Sequence, residues 1–219
     1  MKCSRAALES VFESLYECHG PRYWWPGDTP FEVMVGAVLT QNTAWSNVEK
    51  AIANLVADDL LDPAKIVAVR KDYLARRLKP SGYFNIKAGR LRHFCRWYID
   101  AGGYAALEKM PTDALRQALL SVHGIGPETA DDILLYAFSR PVFVIDAYTR
   151  RLFSRLGMIA GDEPYEQLRL LIEQALGADA ELFNEYHALI VQHAKEICRT
   201  RPVCEQCMLK VRCPAAQIC

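Results

Sequence analysis

The 219-residue sequence predicts an all-α protein of two helical lobes around a cleft, and three observations predict it. Apolar residues recur at helical spacing: Leu8, Val11, Phe12, Leu15 and Tyr16 form one stripe, and Trp45, Val48, Ala51, Ile52 and Leu55 another. Alternating runs of the strand kind are scarce. Glycine and proline cut the chain into helix-length pieces at Gly20-Pro21, Pro26-Gly27, Pro80-Ser81-Gly82, Gly102-Gly103, Pro111-Thr112, Gly124 to Pro127, Gly161 and Gly177. One lobe is expected over 29–137 and the other over 1–28 with 138–219, Gly102-Gly103 being a further candidate break or hinge. A cleft between lobes is a usual place for a ligand.

The bulk properties exclude several classes. An apolar content of 51% supplies a core. No run nears the roughly 18 apolar residues of a membrane helix, and Met1-Lys2-Cys3-Ser4 opens without a secretory apolar segment, so a cytoplasmic protein with no membrane partner is expected. There is no fixed-period repeat and no low-complexity tract. Net charge is +0 but unevenly laid out: residues 65–97 carry ten lysines and arginines against the single acid Asp72, and residues 162–185 carry seven acids against Arg169. Such a chain presents a basic face to phosphates while staying neutral overall, or simply has solvated helix faces.

Taken along the chain, the first distinctive passage is Tyr23-Trp24-Trp25-Pro26-Gly27, followed by Phe31 to Trp45; it holds three of the four tryptophans and the amides Gln41 and Asn42. Indoles at this density serve as core or as flat pocket walls. Residues 115–134 then read as helix, glycine hairpin, helix, with the turn at His123-Gly124-Ile125-Gly126-Pro127. Without Cβ atoms, Gly124 and Gly126 can take positive φ and let a phosphate approach the amides that open the next helix; the plainer reading is a tight turn. Downstream, Asp146 follows the apolar run Phe143-Val144-Ile145 where a new helix starts, and taken alone it is a helix N-cap. Finally Cys198, Cys204, Cys207 and Cys213 follow C-x5-C-x2-C-x5-C, with Arg199, Arg201, Lys210 and Arg212 interleaved. Four such thiolates suit tetrahedral zinc or a 4Fe-4S cluster. Cys3, Cys18, Cys95 and Cys219 read as plain thiols.

The hairpin followed by Asp146 resembles the helix-hairpin-helix, Gly/Pro-Asp superfamily of DNA glycosylases, which includes endonuclease III and the adenine glycosylases. The resemblance spans about Trp24 to Cys213, with its motifs in the family's order. It implies that Asp146 is the catalytic carboxylate, stabilising positive charge on the sugar or orienting a water. Gly124, Ile125, Gly126, Thr129 and Asn42 are implied as DNA contacts. Members that also cut the strand carry a lysine, able to form an imine, where this chain has Glu128; base removal without efficient lyase chemistry is therefore expected, unless Lys79 or Lys87 approaches from elsewhere. The family's closing C-x6-C-x2-C-x5-C loop implies a 4Fe-4S cluster, although the first gap here is one residue shorter.

Within the superfamily, the tryptophan passage, Gly124 to Ala130 and Glu185-Tyr186-His187-Ala188 resemble the 3-methyladenine branch. That implies an alkylated-purine pocket lined by Trp24, Trp25 and Trp45, with Gln41 and Glu128 beside it. A cationic alkylpurine stacks well on indole and leaves readily. Some alkyladenine relatives lack the cluster, so this chain combines features of two branches. His187 and His193 read as active-site polar groups or, the plainer reading, as hydrogen-bonded structural histidines. The implied partner is double-stranded DNA containing a damaged base, met by a monomer. Competing readings are a bifunctional endonuclease III-like lyase acting on oxidised pyrimidines and a non-catalytic iron-sulfur DNA-binding protein.

Overall fold

The structure is a computed structural model that describes residues 3–24 and 27–217. Among them every regular element is helical, as the apolar period predicts. The chain divides into two compact units, one of Met1–Trp24 with Pro141–Cys219 and the other of Trp25–Arg140. Gly102-Gly103 does not divide lobes. Its two glycines, at φ 89° and 73°, make a tight turn within the second unit, where the Gly102 and Gly103 amides bond back to Ile99 and Tyr98.

The first unit holds α1 (Arg5–His19) and, after the other unit, α10, α11 and α12. The second is built on α2 (Pro30–Thr40), whose residues Val33 to Leu39 are all buried. Around it run α3 (Trp45–Ala57), α4 (Pro63–Ala68), α5 (Lys71–Arg77), α6 (Phe84–Asp100), α7 (Tyr104–Leu107), α8 (Thr112–Leu120) and α9 (Pro127–Asp132). A helix buried on all sides must be apolar all round, which is why α2 carries no polar face. Directly after α9 the chain widens into a π turn at Ile133–Ala137, whose five side chains are all buried.

The first unit resumes with α10 (Ala147–Arg155), α11 (Tyr165–Leu176) and α12 (Ala180–Glu196). Helix α12 packs against both α1 and α10 and carries the deepest core, with Phe183, Tyr186, Leu189 and Ile190 fully buried. Ser4, Thr29, Asp62, Asp146 and Asp179 each cap a helix by accepting an N-H from three residues on, at about 1 kcal/mol apiece. The chain then closes with short 3-10 turns over Cys204–Gln206, Lys210–Arg212 and Pro214–Gln217. No helix among the described residues is long and apolar enough to cross a membrane.

Candidate functional site

In the second unit, the hairpin between α8 and α9 is locked from behind. The Arg116 guanidinium grips the Asp131 carboxylate through two bonds, of 2.6 and 3.1 Å, both side chains being buried. Val122 and Ile125 anchor the turn in the core. The two glycines act differently. Gly124 adopts φ 93°, and a Cβ there would lie 2.4 Å from Arg90 Cγ. Gly126 is extended, at φ −95° and ψ 176°, because it is the N-cap residue of α9; a Cβ there would meet nothing within 4 Å. Positive φ is thus needed at Gly124 alone, and the bare backbone of Gly126 leaves the first turn of α9 open to solvent.

Gln41 and Thr129 belong to this hairpin. The Gln41 amide, just past α2, donates to Gly124 O and Thr129 Oγ1, both at 3.0 Å, and its oxygen accepts from Arg90 Nη1. The side chain is therefore committed to shaping the turn. Asn42 (φ 56°) and Tyr83 (φ 44°) are exposed in left-handed conformations. Glu128 is exposed on the first turn of α9. Trp45 opens α3 and lays its indole on Gly36 of α2. Lys87 is buried, and its amine donates to Leu39 O at 2.9 Å and Ser81 O at 2.5 Å; burial, then the nearby Arg90, pulls it down to about 8. A lysine clamped in this way is no free nucleophile.

In the first unit Asp146 ends the buried run Val142 to Ile145 and caps α10, its Oδ1 accepting from Thr149 N at 2.7 Å. Its other oxygen, Oδ2, lies 3.5 Å from Nε2 of His187, the two side chains being 13% and 6% exposed. Burial disfavours the carboxylate, but His187 and the Thr149 amide outweigh it, so the group is held below the usual carboxylate range. Trp24 stands parallel to the His187 ring, within 3° at a centroid separation of 6.3 Å, and Lys195 Nζ lies 5.8 Å from the indole centroid. The segment before Trp24 is tied to α12, because the Arg22 and Tyr23 amides donate to the Glu185 carboxylate. His187 therefore stands between Asp146 and Trp24, facing the carboxylate with Nε2 and the indole with its ring. The Glu185-Tyr186-His187 run noted in the sequence contributes Glu185, which holds the backbone of Arg22 and Tyr23, and His187, which faces Asp146. Trp25 lies outside the described residues.

Cys198, Cys204, Cys207 and Cys213 line one cavity of about 220 Å³, with Ile197, Pro202 and Ala216. Cys198, Cys207 and Cys213 are free thiols. Among the described residues no three potential ligands converge on one ion position. Four sulfurs around one cavity fit either a tetrahedral zinc or a 4Fe-4S cluster. Burial and then the charges of Cys198, Cys213 and Cys18 push the Cys207 thiol up, as expected where thiolates need a cation to sit together. The interleaved cations do not share one role. Arg212 is tied to Ser10 and Ser14 of α1 and Lys210 to Glu205, while Arg199 and Arg201 face solvent. His193, fully buried, touches Cys207 Sγ at 3.5 Å and His19 at 3.2 Å, so it is a structural histidine of the cysteine loop.

Residues 35–177, hairpin and Asp146 included, match the family described as HhH-GPD superfamily base excision DNA repair protein. The chain belongs to the HhH-GPD superfamily. It is accordingly a DNA base-excision repair glycosylase of that family. It is 45% identical over 211 residues to a Methanocaldococcus jannaschii protein named only provisionally as a DNA repair glycosylase, covering 94% of this chain and 95% of that one. It is 29% identical to the endonuclease III of Thermotoga maritima, over 84% of this chain and 82% of the relative. Among solved HhH-GPD-like folds, an endonuclease III-DNA complex aligns at TM-score 0.84 and 20% identity, over 98% of this chain and 97% of that one, which speaks to fold alone. The H. pylori 3-methyladenine DNA glycosylase bound to 1,N6-ethenoadenine aligns at TM-score 0.75 and 30% identity, over 90% and 98%.

Proposed function

We propose that this glycosylase releases alkylated purines such as 3-methyladenine from double-stranded DNA by hydrolysis, without efficient strand cleavage. The observation that carries the reading is the constellation of Asp146, His187 and Trp24. An ionised, largely shielded carboxylate stabilises the positive charge that grows on deoxyribose as the glycosidic bond breaks, and its effect is large where water is scarce. Helix capping fixes one oxygen, and the other faces His187. Indole offers a flat face to a cationic purine, and Trp25 and Trp45 complete the assigned pocket set. The Gly124 to Gly126 turn, with Ile125 and Thr129 supporting it, holds the strand through backbone amides. Tyr83 and Asn42 are assigned to the gap left in the base stack.

Two features favour hydrolysis over lyase chemistry: Glu128 cannot form an imine, and the Lys87 amine is clamped by two carbonyls. The four-cysteine loop is assigned a 4Fe-4S cluster, with zinc as the alternative occupant, and Arg199 and Arg201 meet phosphate beside it. When bound, the cluster supplies a rigid scaffold for that loop. Incubation with methylated duplex and chromatography of the released bases tests the substrate, with 3-methyladenine as the expected product. Release of oxidised pyrimidines together with a borohydride-trapped protein-DNA adduct would favour the bifunctional alternative. Binding of damaged duplex with release of no base would leave a non-catalytic DNA-binding protein.

A further inference from the structure

Residues 68–72, from the end of α4 to the start of α5, stand opposite one face of α6 in the second unit and enclose an open groove of about 670 Å³. Helix α6 contributes Gly89, Arg92, His93 and Arg96, spaced i, i+3, i+4 and i+7 and so on one face. Arg70 and Lys71 line the other side. The only acid in the lining, Asp72, is already held by Arg70 at 2.8 Å and Arg76 at 3.4 Å, while Lys71 and Arg96 are exposed. Arg92 Nη1 donates to Val69 O and ties the two walls together.

The floor of the groove is Gly89, where a Cβ would lie 3.6 Å from Lys71 Nζ. A glycine inside a helix costs about 1 kcal/mol relative to alanine, so the gap it leaves has a stability cost. Arg90, in the next position, packs on Gly124 of the hairpin, and His93 stands edge-on to His123 at 5.3 Å. The groove and the hairpin are therefore neighbours along one helix. The lining carries no aromatic surface for a base other than His93, and four of its nine residues are lysine or arginine. Cations around a glycine floor suit an extended phosphodiester.

We propose that this groove binds a second stretch of DNA backbone, beyond the strand held at the hairpin. The inference rests on the reading of the hairpin as a DNA contact, and it gives Arg70, Lys71, Arg92 and Arg96, four of the ten cations of residues 65–97, a use in a neutral protein. Each phosphate neutralised steepens the dependence of log K on log salt by about 0.9.

The test compares the wild type with the double variant Lys71→Glu, Arg96→Glu and with a control, Lys50→Glu, Lys109→Glu, on other exposed lysines of the same unit. Binding to a duplex with an abasic-site analogue is followed between about 50 and 200 mM salt. The groove variant is expected to bind at least tenfold more weakly at low salt, with a slope shallower by about 1 to 2, and the control to match the wild type. The milder pair Lys71→Gln, Arg96→Gln is expected to fall between, and thermal unfolding checks that all variants are folded. Equal losses in groove and control variants, or a groove variant indistinguishable from the wild type, would overturn the proposal while sparing the hairpin. If the wild type itself bound duplex with no salt dependence, both readings would fall.

Discussion

At the scale of single residues, Asp146 caps a helix and is the carboxylate proposed to do the chemistry. The N-cap reading of the sequence is correct, since Oδ1 accepts from Thr149, yet Oδ2 faces His187. Its pKa lies below the usual carboxylate range, so its contribution to stability is present above the unfolded value of about 3.9 and is lost as pH falls through the lower folded value. The same sign applies to activity. The rate of base release should hold as pH is lowered to about 4, and an acid limb centred well above that would contradict an ionised Asp146. Lys87 has the opposite window. Its folded value of about 8 lies below 10.5, so the unfolded chain holds more protons between the two and stability gains from rising pH across that interval. Lys87→Met should remove that gain and cost about 2 to 4 kcal/mol by leaving two buried carbonyls unpaired, as denaturant titrations at pH 7 and 10 would measure. Neither residue's surroundings were readable from the chain, because Leu39, Ser81 and His187 come from other elements.

At the scale of elements, the helices were legible because apolar period, N-caps and glycine stops agree with one another. The hairpin was legible as a motif but not in its mechanics. Its φ values depend on Arg90, which lies 34 residues upstream and fills the space a Gly124 side chain would need. This separates the two glycines experimentally. Gly124→Ala meets both a clash and a left-handed backbone and should lower stability by more than about 1 kcal/mol. Gly126→Ala should stay within about 1 kcal/mol of wild type by thermal unfolding, yet weaken DNA binding, because the added methyl stands where a strand would approach. If Gly126→Ala bound duplex as tightly as wild type, α9 would not be the phosphate contact. Gly102-Gly103 was ambiguous between a turn and a hinge for a physical reason: a turn between two helices of one unit uses the same residues as a hinge.

At the scale of the whole molecule, the neutral composition hid a division of labour. The cations concentrated in residues 65–97 belong to the unit that carries the hairpin, and the acids of 162–185 to the unit that carries Asp146. The cysteine spacing marked four residues that line one cavity, but which of the interleaved cations stay free was not legible, since Arg212 is tied to α1. Protein prepared anaerobically with iron and sulfide should be brown and bleach on oxidation, and Cys213→Ala should fail to take up the colour. A colourless preparation containing one tightly bound zinc would contradict the cluster assignment. The most direct test of the central claim is single-turnover release of 3-methyladenine by Asp146→Asn. Asparagine keeps the helix cap, so folding and DNA affinity should persist while the rate falls by at least about a hundredfold, worth roughly 2.7 kcal/mol of barrier. A variant that releases the base at the wild-type rate would show that the carboxylate at 146 does not do the chemistry.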